Sequence, residues 1–327
     1  MPPAGRSCFW QRSAGAGCIV NILFFADEPD PRPWSDALRR ALPEGAIHDW
    51  APGAAPSCDY AVCWKPPAAF FAGQGALKAI LNIGAGADAV ISDPNLPAGV
   101  PVVRLDDAGM ARQMEEYVAW CALNYLRRFN DYARAQQARR WARLAPRARA
   151  DFTIGVMGLG VLGAQVATFM RGLGFPVRGW SRTPKQIAQV ECFAGDAGLA
   201  PFLAGTQLLV CLLPLTPETR GVLCRANLAR LPRGAAVVNI ARGAHLVEPD
   251  LVELIDTGHL AGATLDVFAT EPLATDSPLW RHPAIIITPH VSAMTLVEES
   301  MAQIAGKIRA LSRGEMVAGV VDRKRGY

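Results

Sequence analysis

Two spacings alternate along this chain. Short unbroken apolar runs read as buried strands, and apolar positions three and four residues apart read as helix faces. Early on, strand-like runs at 19–25, 60–64 and 77–80 surround a helical segment at 34–42 that Pro43 stops. This is the strand–helix–strand rhythm of a parallel sheet. Prolines 94, 97 and 101 then mark a surface loop. A strong amphipathic helix is predicted over 112–128, where Met114, Tyr117, Cys121, Tyr125 and Phe129 recur at helical steps. Its length suits a connection between two domains. From 151 onward strands are expected at 152–157, 177–180, 207–212, 235–238, 263–267 and 284–287, with helices at 161–171, 248–256 and 296–311. That second half reads as a doubly wound α/β sheet.

Composition narrows the class. The chain has 327 residues, room for two domains, and 51% are hydrophobic, enough for a large core. Lys and Arg number 33 against 29 acidic residues, so the net charge of +4 is too small to imply nucleic-acid binding by itself. Residues 127–149 do hold eight arginines. They read either as a polyanion-binding strip or as a solvated helix face followed by an interdomain or subunit contact. Nothing else in the chain resembles a nucleic-acid module, which favours the second. The eight cysteines form no C-x-x-C pair and no metal-ligand spacing, so no metal is expected. They suit small buried hydrophobes in a reducing compartment, and a cytoplasmic location is expected. No apolar run is long enough for a membrane span. Arg6 and Arg12 before the apolar run 18–26 imitate a signal peptide, but Asn21 interrupts the run and no cleavage site follows. Residues 1–18 are expected to be a loose extension ahead of a first strand.

The sequence Gly158-Leu159-Gly160-Val161-Leu162-Gly163 stands between a predicted strand and a predicted helix. In that context it reads as a dinucleotide cradle. The first glycine allows the tight turn, the second lets the backbone approach a pyrophosphate, and the third permits close helix–strand packing. The helix N-terminus offers its N–H groups to the phosphates. About twenty residues on, where an NAD enzyme places an acidic residue, the chain has Trp180-Ser181-Arg182-Thr183-Pro184-Lys185. Arg182 and Lys185 supply cations, and Ser181 and Thr183 supply hydroxyls. Those groups suit a 2′-phosphate, so NADPH is expected, with NADH weaker. If Arg182 only stacks on the adenine, the preference is weak.

Three charged residues follow predicted strands: Arg242, Glu271 and His290. Ligands bind at the carboxyl ends of strands in such sheets. Arg242 can grip a carboxylate in bidentate fashion and polarise a neighbouring carbonyl. His290 can give a proton as general acid, and Glu271 can pair with it and orient its ring. Singly, each has a structural explanation: a helix cap, a solvated turn, a core histidine. Jointly, downstream of a dinucleotide loop, they point to hydride transfer to a 2-keto acid. Asp266 ends a strand and could hold the nicotinamide carboxamide or a ribose, or merely stabilise a turn.

These residues, with Leu213-Pro-Leu-Thr-Pro-Glu-Thr219, Leu265-Asp-Val-Phe268 and the ending Val321-Asp-Arg-Lys-Arg-Gly-Tyr327, resemble the D-isomer-specific 2-hydroxyacid dehydrogenases from about residue 20 to the C-terminus. The resemblance implies two Rossmann-like doubly wound parallel-sheet domains. The substrate domain, 19–110 with 294–327, would be discontinuous around a dinucleotide-binding domain at 111–293. It implies Arg242, Glu271 and His290 as the catalytic set, with Leu213, Pro214, Thr219 and Ala241 beside the cofactor. It also implies a loop at Gly84, Ala85 and Gly86 that presents backbone N–H groups to the substrate carboxylate, a pocket wall at Trp64, and a homodimer. With Trp64 in the pocket, bulky keto acids are excluded and glyoxylate and hydroxypyruvate remain. The alternatives are a broader 2-keto-acid reductase acting on phenylpyruvate, and a dinucleotide-sensing corepressor that binds peptides.

Overall fold

A computed structural model describes residues 20–323, 325 and 326. Residues 1–18, read as an extension, and Ile19 of the first predicted strand lie outside them. The chain divides into two compact units. The described residues up to Ala108 and those from Thr295 form the first, and 109–294 form the second.

Five parallel strands build the first unit: β1 (Val20–Ala26), β2 (Gly45–Asp49), β3 (Tyr60–Trp64), β4 (Ala79–Asn82) and β5 (Val102–Arg104), in the order β2-β1-β3-β4-β5. Sequence patterning does not predict β2 or β5. The first is a half-buried edge strand with a polar end, and the second has three residues directly after Pro101. Short strands of this kind carry too few side chains to set a period. The C-terminal helix Val297–Ser312 packs on the helix Arg32–Ala41, which is how the two ends of the chain share one unit. Buried Lys307 pins this helix, donating to the carbonyls of Arg104 and Ala318 and to the Asp106 carboxylate, each at 2.8 Å. A buried ammonium is tolerable because all three of its hydrogens find acceptors.

The second unit holds seven parallel strands: β6 (Ile154–Met157), β7 (Val177–Ser181), β8 (Glu191–Ala194), β9 (Leu208–Cys211), β10 (Ala235–Asn239), β11 (Leu260–Leu265) and β12 (Ile285–Ile287). Their spatial order is β12-β11-β10-β9-β6-β7-β8. The chain winds outward from β6 in one direction, then returns to β9 and winds the other way. The switch point therefore lies between β6 and β9, and ligands in open α/β sheets bind outside the strand ends at that point. Both faces are buried. Val237 joins the core on one face and Val238 the core on the other, as strand alternation requires.

Several elements here went unpredicted. β8 and the helix Gly195–Ala204 share a Gly- and Ala-rich run with Pro201 inside the helix. The predicted helix ending at 128 is broken by Arg128, whose φ is +60°, and a second helix runs over Phe129–Gln137. The first helix, Met110–Arg127, packs within this unit against Val161–Gly172.

Half of the arginine strip serves the fold. Arg128 and Arg134 pair with Asp131. Arg147 donates to the Tyr125 carbonyl at 3.1 Å, and Arg149 donates to Leu173 and lies over the Phe175 ring. Burial, helped by the nearby Arg128 cation, holds Arg147 below its ordinary pKa. Cys58, Cys63, Cys121 and Cys211 are buried free thiols, and burial pushes Cys121 and Cys211 up to about 12. Such thiols stay protonated and inert at neutral pH. No described helix is long and apolar enough to cross a membrane.

Candidate active site

The glycine loop leaves the end of β6 at the switch point. Gly158 has φ +114°, and a Cβ there would lie 2.7 Å from the Leu212 carbonyl oxygen. Its N–H donates to the Trp180 carbonyl at 2.8 Å, tying the turn to β7. Leu159 packs on Gly179 of that strand. A Cβ at Gly163 would overlap the Gly158 carbonyl oxygen, so only glycine lets the helix Val161–Gly172 sit this close to the loop. A Cβ at Gly160 would meet no heavy atom within 4 Å, and no side chain caps the helix. An uncapped first turn facing open space fits a pyrophosphate.

The turn after β7 is braced from inside. The Trp180 indole donates to the Gly195 carbonyl at 2.9 Å, and buried Ser181 donates to the Thr183 carbonyl at 2.8 Å. Arg182, Thr183 and Lys185 project as exposed residues. The Glu218 carboxyl is held below its usual range, mainly by the Thr216 hydroxyl and in smaller part by the Arg182 cation. After β9, Leu213 is buried, and Thr219 donates to the Pro214 carbonyl at 2.7 Å while accepting the Thr216 N–H at 2.8 Å. Ser181 and Thr219, read from the sequence as cofactor ligands, thus commit their hydroxyl protons to shaping their own turns.

Strands β10, β11 and β12 are neighbours and parallel, so the three charged residues emerge on one edge of the sheet. Glu271 bridges inward and outward. Its Oε1 accepts the Phe268 N–H at 3.0 Å, and its Oε2 accepts from His290 Nδ1 at 2.8 Å. That bond leaves Nε2 of His290 as the nitrogen able to hand a proton onward. The His290 side chain is 47% exposed, open enough to reach a ligand. Its backbone takes φ +57°, the left-handed region that costs most side chains something. The His290 N–H donates to the Asp266 carbonyl at 2.8 Å and so holds it there.

Asp266 is hydrogen-bonded to the same loop. It is fully buried, and its carboxylate accepts from the Thr288 hydroxyl at 2.5 Å, the Val291 N–H at 2.8 Å and the Ser292 N–H at 2.9 Å. Tyr117 hydrogen-bonds to the same Thr288 hydroxyl at 2.6 Å. The carboxylate is the anchor of the His290 loop.

Arg242 follows β10, with Ala241 buried before it. Its carbonyl accepts from Asn239 Nδ2 at 3.0 Å, and one guanidinium nitrogen donates to the Ala241 carbonyl at 2.8 Å. Two neighbours that sequence reasoning missed set its place. Fully buried His245 spans two turns: its Nε2 lies 3.2 Å from the Pro214 carbonyl, and its Nδ1 lies 3.1 Å from the Arg242 carbonyl and 3.3 Å from the Arg242 backbone nitrogen. A Cβ at Gly243 would overlap the Phe268 carbonyl carbon and the Ala269 nitrogen, so the Arg242 turn rests directly on the backbone leading to Glu271. The spacing Arg-Gly-x-His was the available signal, but nothing in one sequence says what a buried histidine touches.

In the first unit, Trp64 ends β3, and Gly84, Ala85 and Gly86 follow β4. The Trp64 ring lies so close to Gly84 that a Cβ there would be 2.8 Å from a ring carbon. Lys65 Nζ sits 5.7 Å from the Trp64 ring centroid. Buried Asn82, also missed, donates to the carbonyls of Gly84 and Gly86.

Comparison with known proteins identifies a family. Residues 119–292 match the D-isomer specific 2-hydroxyacid dehydrogenase, NAD binding domain. Glyoxylate/hydroxypyruvate reductase A of Serratia proteamaculans is 48% identical over 313 residues, covering 94% of this chain and all of that protein. A D-isomer specific 2-hydroxyacid dehydrogenase from Xanthobacter autotrophicus Py2, solved in complex with NADPH and MES, is 41% identical with a TM-score of 0.90, covering 95% of this chain and 100% of that one. An NADPH-dependent glyoxylate/hydroxypyruvate reductase from Sinorhizobium meliloti, solved with NADP and sulfate, is 36% identical with a TM-score of 0.88, covering 94% and 100%. With its glycine loop at the switch point and its paired Glu271 and His290, the chain belongs to the D-isomer specific 2-hydroxyacid dehydrogenases.

Proposed function

We propose that this protein is an NADPH-dependent reductase of small 2-keto acids, converting glyoxylate to glycolate and hydroxypyruvate to D-glycerate. The observation that carries the reading is the 2.8 Å pair of His290 and Glu271, on the same sheet edge as Arg242 and the open glycine loop. Relatives of 36–48% identity named for this activity support it.

Residues 158–163, with Leu213, Pro214 and Ala241, would hold the dinucleotide. Arg182 and Lys185 would hold its 2′-phosphate, Thr183 adding a hydroxyl, and no carboxylate between 180 and 185 opposes that phosphate. NADPH when bound supplies the hydride that the keto carbon accepts. Arg242 pairs with the substrate carboxylate and draws charge onto the keto oxygen. Protonated His290 gives its Nε2 proton to that oxygen as it becomes a hydroxyl, while Glu271 steadies the imidazolium through Nδ1. Ala85 and Gly86 bind the carboxylate by backbone N–H groups, the Gly84 N–H being committed to the Asn82 carbonyl at 3.0 Å, and Trp64 limits the size of the substrate side chain.

The protein acts in the cytoplasm as a homodimer. Trp120, Leu123, Phe129 and Trp141 are exposed apolar side chains on or beside the two consecutive helices of 110–137, and Trp141 is fully exposed. Apolar patches of that kind mark interfaces. Light scattering should return twice the chain mass of 35.0 kDa, and a monomer would refute the dimer.

The deciding assay follows NADPH and NADH oxidation against glyoxylate, hydroxypyruvate, pyruvate and phenylpyruvate. The expected result is turnover of the first two with NADPH. Faster phenylpyruvate reduction would replace this substrate assignment with a broader one. In the same assay Arg182→Ala should lower the NADPH-over-NADH preference roughly 10- to 100-fold, the value of one charged hydrogen bond to the phosphate. Unchanged discrimination would refute the role given to Arg182.

A further inference from the structure

We infer that Asn82 is a positioning residue that shapes the substrate-carboxylate loop, an inference that rests on the reading given under Proposed function. Asn82 ends β4 and is 1% exposed. Its Nδ2 carries two hydrogens and reaches two acceptors, the Gly84 carbonyl at 3.1 Å and the Gly86 carbonyl at 2.9 Å. The Leu105 N–H also donates to the Gly84 carbonyl, at 3.0 Å.

In a trans peptide the C=O and the following N–H point in opposite directions. Both carbonyls are turned toward Asn82, so the N–H groups of Ala85 and Ala87 are turned away from it. Neither of these N–H groups, nor that of Gly86, donates to another protein group among the described residues. Successive backbone N–H groups without a protein acceptor suit an anion. Within the same loop the Trp64 ring rests against Gly84, where any side chain would press on it.

The amide of Asn82 is held one way round. If it were flipped, its oxygen would face two carbonyl oxygens. In the orientation that satisfies the nitrogen, Oδ1 is buried without a partner. A fold retains such an orphaned acceptor when the other end of the group has work that no apolar side chain can do. Here that work is to turn two peptide units.

The test compares wild type with Asn82→Ala and with Asn82→Ser, which keeps one donor and carries the comparison if the alanine variant does not fold. Hydroxypyruvate KM and kcat, NADPH affinity by fluorescence, and oxalate affinity by calorimetry with NADP+ present are measured. Asn82→Ala should raise KM and weaken oxalate roughly 10- to 100-fold through the loss of two hydrogen bonds. Asn82→Ser should fall between it and wild type, with kcat and NADPH affinity near wild type in both variants. KM and oxalate affinity within about twofold of wild type would overturn the inference and leave the reductase reading standing. So would an equal fall in kcat and NADPH affinity, which marks a general structural defect. A wild type that reduces no keto acid would instead sink the reductase reading; oxalate then reads the loop alone, and equal binding by all three proteins would overturn the role of Asn82.

Discussion

His290→Asn should lower kcat by about 10²–10⁴-fold while leaving NADPH affinity unchanged. Asparagine is chosen because it tolerates the left-handed backbone at this position better than most residues, so the loop should hold. It can also donate a hydrogen bond toward Glu271. It cannot release a proton to the keto oxygen. The variant therefore isolates proton transfer from loop geometry and from dinucleotide binding. Steady-state rates with hydroxypyruvate, together with a fluorescence titration of NADPH, check both halves. Turnover within tenfold of wild type would remove His290 from the chemistry. A parallel collapse of NADPH binding would mean that the loop had moved.

The second large effect is expected at Arg242 and its neighbour. Arg242→Ala should cost roughly 10²–10³-fold in kcat/KM, the scale measured when one donor to a developing oxyanion is removed. Arg242→Lys should recover little of it, because an ammonium cannot reproduce the bidentate fork. Gly243→Ala tests the geometry without touching a charge. Its Cβ has no room against Phe268 and Ala269, so the Arg242 turn must move away from the backbone that leads to Glu271. A displacement of about 1 Å at a positioning group can cost 10²-fold in rate. NADPH affinity should survive all three changes. Normal kcat/KM in Gly243→Ala would show that the close packing of these two turns is unimportant for catalysis.

The parts of the fold that could be read in advance were those with strong local signals. Mostly apolar runs predicted β3, β6, β9 and β10 within a residue or two, because a strand buried on both faces must be largely apolar along its length. The glycine loop was legible because each glycine answers a steric demand, two of them visible as clashes at Gly158 and Gly163. Edge strands β2, β5 and β8 were not legible. They are short and partly exposed, and they form because a neighbouring strand already offers hydrogen-bond partners.

The candidate site divides along the same line. Residue type and order alone put a guanidinium, a carboxylate and an imidazole after successive strands, and named the cations proposed for a 2′-phosphate. They were silent on the hydrogen-bond partners of buried polar groups. Nothing in the sequence said that the Asp266 carboxylate accepts from Thr288, Val291 and Ser292 of the His290 loop. Asn82, Gly243 and His245 went unnoticed, although each contacts a turn of the candidate site. The reason is physical: local propensity and periodicity are written in neighbouring residues, whereas the partner of a buried polar atom is chosen by whichever distant segment the fold brings within about 3 Å.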